Sequence, residues 1–425
     1  MTPKTRDGAP VGSDDRENEH DRPRGVRPQV GLRSLALAFA AALAFVVLTR
    51  APVARLGPVE SDEFGYLETI GRYRLPMHHT LFLAAARVLG ATAGGAYRGV
   101  LALDLLTSAG ALTDLGWMLR AAVRPATAAA AAFAVAVSPV FWGYGAMAGN
   151  YTAVVLVGSV LLGIVARAWV LDEPETWHPY AAAAALALGA GYRQDIGTFW
   201  LPVFLLILAR FRDRRAVGAF ALFVALSLAW FVPMLVDVGG WTRYRTASAE
   251  FSREAGYKNS VFYLGVVDAP LRYVVKLGMA LLWTLGPLLA FVPSGASRLA
   301  RRPHGVWLAA AMLLAALPAL GFHLVIHFGV PGYAFHYVPA LVALAALGAE
   351  RTRETAGVAR LLGCAAVLAA LFLFYPTDYQ APGARGNFDL SFARHTRAGL
   401  RAPLPEGGPS IWRTRNSRPA AAPGE

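Results

Sequence analysis

Four carboxylates crowd one short stretch of this chain, Val59-Glu60-Ser61-Asp62-Glu63-Phe64-Gly65-Tyr66-Leu67-Glu68, directly after its first long apolar run. Acids held close to a membrane lose part of their hydration, which raises their basicity and fits them to take a proton or hold a cation. The same stretch also reads as a solvated helix start, with Ser61 or Asp62 as the N-cap and the acids favoured by the helix dipole. His78 and His79 follow. Adjacent histidines point apart on a helix, so at most one would face the acids, and no ligand set of recognisable spacing accompanies them. Farther on, Tyr192-Arg193-Gln194-Asp195 sets an arginine and an aspartate between two apolar runs, where charge is costly unless paired or turned to the bundle interior. Either the two simply pair at a helix turn, or the guanidinium offers its planar fork to a phosphate. The loop 237–269 interleaves Trp241, Tyr244, Phe251 and Tyr257 with Arg243, Arg245, Arg253 and Lys258. That mixture suits a sugar-phosphate groove, and equally a helix resting on lipid headgroups. His327 and His336 flank the turn 329–335 and could touch an anionic ligand or satisfy local hydrogen bonds.

The elements that must position these residues are membrane helices. Of the 425 residues, 56% are hydrophobic and 16% charged, against roughly 25% charged in an ordinary soluble domain. The formal charge of +13 is carried by short clusters between apolar runs, a pattern of membrane topology and not of nucleic-acid binding. One cysteine, Cys364, excludes disulfides, CxxC redox pairs and cysteine-ligated zinc within the chain. The apolar runs 35–48, 99–119, 125–147, 152–170, 179–192, 196–210, 216–236, 270–292, 305–326, 335–349 and 358–375 predict an all-α integral membrane protein, a bundle of about eleven transmembrane helices. With a cytoplasmic N-terminus, the cytoplasmic connections hold Arg120 and Arg124, then Arg167, then Arg210, Arg212, Arg214 and Arg215, then Arg298, Arg301 and Arg302, then Arg351, Arg353 and Arg360, as the positive-inside rule demands. Every stretch described above then falls on the extracytoplasmic face of a cell membrane. The segment 77–92 is apolar but short and carries Arg87, so it is expected to be an amphipathic helix along the membrane surface within the first outer loop. Residues 1–32 are expected to form a disordered cytoplasmic tail, 33–375 the membrane domain and 376–425 a polar outer tail. No P-loop, GxGxxG, GxSxG or HExxH is present, and no cytoplasmic connection is long enough to hold a nucleotide-sugar domain.

The Asp62-Glu63-x-x-Tyr66 cluster after the first span, followed by the step Leu75-Pro76-Met77-His78-His79-Thr80-Leu81-Phe82 into an amphipathic helix, resembles the GT-C superfamily of membrane glycosyltransferases. More narrowly it is similar to the protein O-mannosyltransferase and aminoarabinose-transferase group, over roughly residues 33–236 in order and layout. The resemblance implies that Asp62 is catalytic, with Glu63 beside it. Members commonly place a second acid in the next outer loop; here Ala148-Gly149-Asn150-Tyr151 occupies that place, and Asn150 weighs against a two-carboxylate metal site. A Gly-x-Arg-x-Asp junction common in the family matches Gly191-Tyr192-Arg193-Gln194-Asp195. What the resemblance implies is a glycosyltransferase that moves a hexosyl or pentosyl group from a polyprenyl-phosphate donor to a lipid, glycan or protein acceptor on the outer face. Asp62 would be general base, and His78, His79, Asn150, Tyr151, Arg193, Asp195, Tyr244, Arg245 and His336 would contact substrates. A divalent cation, Mg or Mn, is an optional participant in this reading. The rival is a polytopic transporter or lipid flippase, whose binding site would sit near the midplane between internal repeats. In this sequence the notable polar residues stand at span ends, and no repeat is visible.

Overall fold

Proline and glycine punctuate the apolar runs and set several of the helix boundaries, among them the starts at Pro125 and Pro139 and the stops at Gly94 and Gly239. The computed structural model describes residues 31–54, 66–70, 78–146, 149–265, 267–350 and 354–374, and among them every regular element is helical. Asp62 and Glu63 lie outside the described residues, as do the two tails apart from residues 31 and 32. The first half holds α1 (Leu32–Ala54), α2 (Thr80–Ala93), α3 (Ala96–Arg120), α4 (Pro125–Ala136), α5 (Pro139–Tyr144), α6 (Thr152–Val165) and α7 (His178–Tyr192). The second holds α8 (Gln194–Phe211), α9 (Arg214–Val238), α10 (Trp241–Phe251), α11 (Asp268–Leu285), α12 (Val292–Ala300), α13 (Gly305–Val325), α14 (Val338–Ala349) and α15 (Glu354–Phe374).

Eight stretches among the described residues are long and apolar enough to cross a membrane, and the chain is an integral membrane protein. Among the described residues each of the eleven predicted runs contains helix, but 125–147, 179–192 and 335–349 yield shorter helices. The reason is local chemistry. Pro139 cannot continue the helix that Pro125 begins, and Ser138 caps a fresh start by accepting from the Phe141 amide at 3.4 Å. The run 335–349 begins inside a 3-10 turn, Pro331–His336, before α14 forms. Along α9, Val217, Phe220, Val224, Leu228 and Val232 recur at helical spacing and are all exposed, while only Ala219 and Met234 are buried. An apolar face of that extent is satisfied by lipid tails.

The bundle is organised around α3, which packs against α1, α2, α4 and α6. The predicted amphipathic segment is α2, and it turns Phe82, Leu83 and Ala86 inward against α3 while Val88 is exposed. Gly99 permits this docking, because a Cβ there would overlap the Ala86 carbonyl and lie 2.5 Å from the Gly90 nitrogen.

The two ends of the bundle differ in chemistry. At one end Arg124 pairs with Glu350 at 3.0 Å, Arg298 donates to the Leu347 carbonyl at 2.8 Å, and Arg210 pairs with Asp172 at 2.6 Å. Trp169 stacks on Trp307 and Arg167 lies over Trp117, an arrangement typical of an interfacial aromatic belt. By chain connectivity the opposite ends of α6, α8 and α14 carry Tyr151, Arg193 and His336.

Candidate functional site

Arg193 is the centre of that second end. It stands in an extended conformation between α7 and α8, so the chain breaks there and both helices aim their termini at it. It is only 4% exposed. Its Nε and Nη2 donate to Asp195 Oδ2 at 3.0 and 2.9 Å, and its Nη1 donates to Asn150 Oδ1 at 2.8 Å. Tyr151 lies 3.9 Å from the guanidinium carbon and Tyr333 5.2 Å, giving it two aromatic neighbours. His336 completes the hub, its Nε2 lying 3.3 Å from the same Asp195 oxygen.

Burial works against charge on Arg193, and the Asp195 carboxylate beside it favours the charged form, so its pKa is raised and it stays a cation. Burial pushes the Tyr151 phenol well above its usual range despite the neighbouring arginine, so that hydroxyl keeps its proton. A guanidinium has five N–H donors. Three are given to Asp195 and Asn150, and two have no acceptor among the described residues. Gly332 is required here, because a Cβ would collide with the Tyr151 ring.

The structure thus brings together Asn150, Tyr151, Arg193, Asp195 and His336, which are far apart in sequence. The simple pairing of Arg193 with Asp195 is present, but it is embedded in a network drawn from α8 and the turns before α6 and α14. His78 stands at the rim, with Nδ1 3.1 Å from Gln194 Oε1 and its ring 4.1 Å from that of Phe251. His79 adopts φ 62°, a left-handed conformation that costs a non-glycine residue roughly 1–2 kcal/mol. Both histidines precede the first turn of α2, so helical geometry does not set their directions, and the acids that one of them was expected to face lie outside the described residues. Burial, then Arg193, depresses the His79 pKa to about 3, so it is uncharged at neutral pH and cannot serve as a cationic clamp. His327 is likewise held down to about 4 by burial and Lys276, and its ring packs near Tyr273 and Tyr333.

Tyr244 and Arg245 are not brought to the hub. Tyr244 packs on Phe231 and Trp241, and Arg245 is exposed in a surface groove with Thr242, Thr246, Ala249, Glu250 and Arg253. No group of three or more His, Cys, Asp or Glu side chains among the described residues could hold a metal ion.

Sequence reasoning passed over several participants. Tyr333 touches the hub directly, Gln194 meets His78 at its rim, and Trp200 bonds His336. Deeper, Arg50 is fully buried, donating to the Ala136 carbonyl at 3.0 Å and Thr49 Oγ1 at 2.7 Å, and Asp104 accepts from Thr152 at 2.9 Å. The signal for Asp104 was legible, since a carboxylate in the middle of an apolar run is costly without partners.

No known protein family matches the sequence, and neither does any curated protein. Solved structures do match. ArnT from Cupriavidus metallidurans, bound to undecaprenyl phosphate, superposes with a TM-score of 0.56 at 15% identity, covering 86% of this chain and 70% of that one. Its apo form gives 0.54 at 18% identity, with 85% and 67% covered. The apo oligosaccharyltransferase of Archaeoglobus fulgidus gives 0.51 at 14% identity, with 93% of this chain and 62% of that one covered. At such identities the likeness is one of fold. The chain is an integral membrane protein whose regular elements are all helical among the described residues, and its fold is similar to those of ArnT and the archaeal oligosaccharyltransferase.

Proposed function

We propose that this protein is a glycosyltransferase that moves one sugar from a polyprenyl-phosphate donor to an acceptor hydroxyl on the extracytoplasmic face. Asp62 takes the proton from that hydroxyl as its oxygen attacks the anomeric carbon with inversion. The bond from that carbon to the phosphate oxygen breaks, and polyprenyl phosphate leaves with the electron pair. Glu63 orients the acceptor. The leaving phosphate gains charge as the bond breaks, and the two uncommitted N–H donors of Arg193 are suited to meet it with charge-assisted hydrogen bonds. His336 has both ring nitrogens engaged by Asp195 and Trp200, so it supports Asp195 and leaves the phosphate to Arg193. The chemistry written here needs no metal ion, and a divalent cation remains an optional addition.

The observation that carries this reading is the Arg193 hub itself, a buried cation with donors to spare at the end of the bundle opposite the arginine-rich connections. Its support is the fold shared with ArnT, which was solved with undecaprenyl phosphate bound. The test is transfer of radiolabelled sugar from polyprenyl-phosphate donors to membrane acceptors, comparing wild type with Asp62→Asn at matched expression. Loss of transfer in the variant is expected. Transfer that survives moves the base to Glu63 or Glu60, and a wild type that transfers from no such donor sinks the proposal in favour of a transporter.

A further inference from the structure

One helix grips the His336 imidazole from three sides. On α8, Asp195 meets Nε2 at 3.3 Å, the Trp200 indole Nε1 lies 3.3 Å from Nδ1, and the Phe199 ring stands edge-on at 4.9 Å between centroids. An indole nitrogen is a donor only. Nδ1 of His336 must therefore accept, which leaves the ring proton on Nε2, pointed at Asp195 Oδ2. That oxygen is the one Arg193 holds with two N–H groups. Trp200 is itself fully buried and is among the largest enclosed side chains of the core, so its donor cannot turn elsewhere.

We infer that Trp200 is a positioning residue: by donating to Nδ1 it selects the His336 tautomer that donates to Asp195, and so holds the carboxylate against Arg193. Without the indole N–H, the other tautomer becomes available. It sets the lone pair of Nε2 against a carboxylate oxygen, and acceptor facing acceptor loosens Asp195. The consequence for phosphate binding rests on the function proposed above; the tautomer does not.

The full-length protein in lipid nanodiscs, labelled with 15N at histidine and tryptophan, tests this, with His336 assigned by the signals lost in His336→Gln. Wild type should show a single tautomer protonated at Nε2. Trp200→Phe, which keeps an aromatic ring and removes the donor, should show a mixture of tautomers, while Phe199→Leu should leave the single tautomer unchanged. A proton on Nδ1 in wild type, or an unchanged tautomer in Trp200→Phe, overturns the inference. Should Trp200→Phe not fold, the Trp200 indole N–H resonance decides: it must shift in His336→Gln, and a resonance that stays in place overturns the bond.

Affinity for undecaprenyl phosphate supplies the second arm. Trp200→Phe should weaken it about 3- to 10-fold, the scale of one hydrogen bond. In the His336→Gln background the same change should have almost no effect, because coupled residues are not additive. Equal weakening in both backgrounds would mean that Trp200 acts by packing alone and overturns the inference. A wild type that does not bind undecaprenyl phosphate overturns the proposed function, and the tautomer result still judges Trp200.

Discussion

Arg193 and Asp195 illustrate how a buried ion pair can be structural, functional or both, and a pair of substitutions separates the cases. Removing one partner leaves an uncompensated charge, so Asp195→Asn should cost about 3–5 kcal/mol of stability, read by thermal unfolding in detergent. Replacing both, Arg193→Leu with Asp195→Leu, should restore most of that stability, since an apolar pair of similar volume needs no desolvation. The double variant should nevertheless fail to transfer sugar. Transfer by a stable double variant would reduce the hub to a brace. Asn150 fits the same logic: it accepts from Arg193 at 2.8 Å without adding a second negative charge, so the hub keeps one cation against one carboxylate. Arg193→Lys should also impair phosphate binding, because an ammonium cannot reproduce the planar fork that serves Asp195 and Asn150 together.

The short helices control how those residues meet. Docking of α2 on α3 depends on backbone approach at Gly99, and α2 begins at the two histidines that border the hub. Gly99→Ala should push the helices apart at a cost on the order of 1–3 kcal/mol. Because the displacement is carried to His78 and Gln194, the variant should lose transfer activity as well as thermal stability. A Gly99→Ala protein with normal stability would contradict the close packing of α2. The break at Pro139 and the 3-10 turn Pro331–His336 are the other determinants: the first interrupts an apolar run, and the second delays the start of α14 and carries Tyr333 and His336 into the space beside Arg193.

Across the whole molecule, α9 ties the two ends together, with Arg212 just before it and Thr242 just after, both exposed. In a Cys364→Ala background, Arg212→Cys should resist a membrane-impermeant maleimide in intact cells and Thr242→Cys should react. The reverse pattern would invert the orientation and move the Arg193 hub to the cytoplasmic side. Cys364 is buried, so its removal should leave the fold intact and the background reaction low.

The sequence by itself determined the class of architecture: apolar runs too long and too numerous for a soluble core, and a short apolar helix after the first of them. Those are properties of contiguous residues, and hydropathy and charge act on contiguous residues directly. It also made Arg193 and Asp195 conspicuous, because charge between apolar runs demands partners. Only the tertiary structure decided who those partners are. Asn150, Tyr333, His336 and Trp200 reach the hub from turns and helices far apart in the chain, and which turn faces which depends on helix packing and close backbone contacts, not on local pattern. The same cause explains why Tyr244 and Arg245 looked suited to the site yet lie apart from it: aromatic and basic residues read alike in sequence whether a helix lines a groove or rests on its surface.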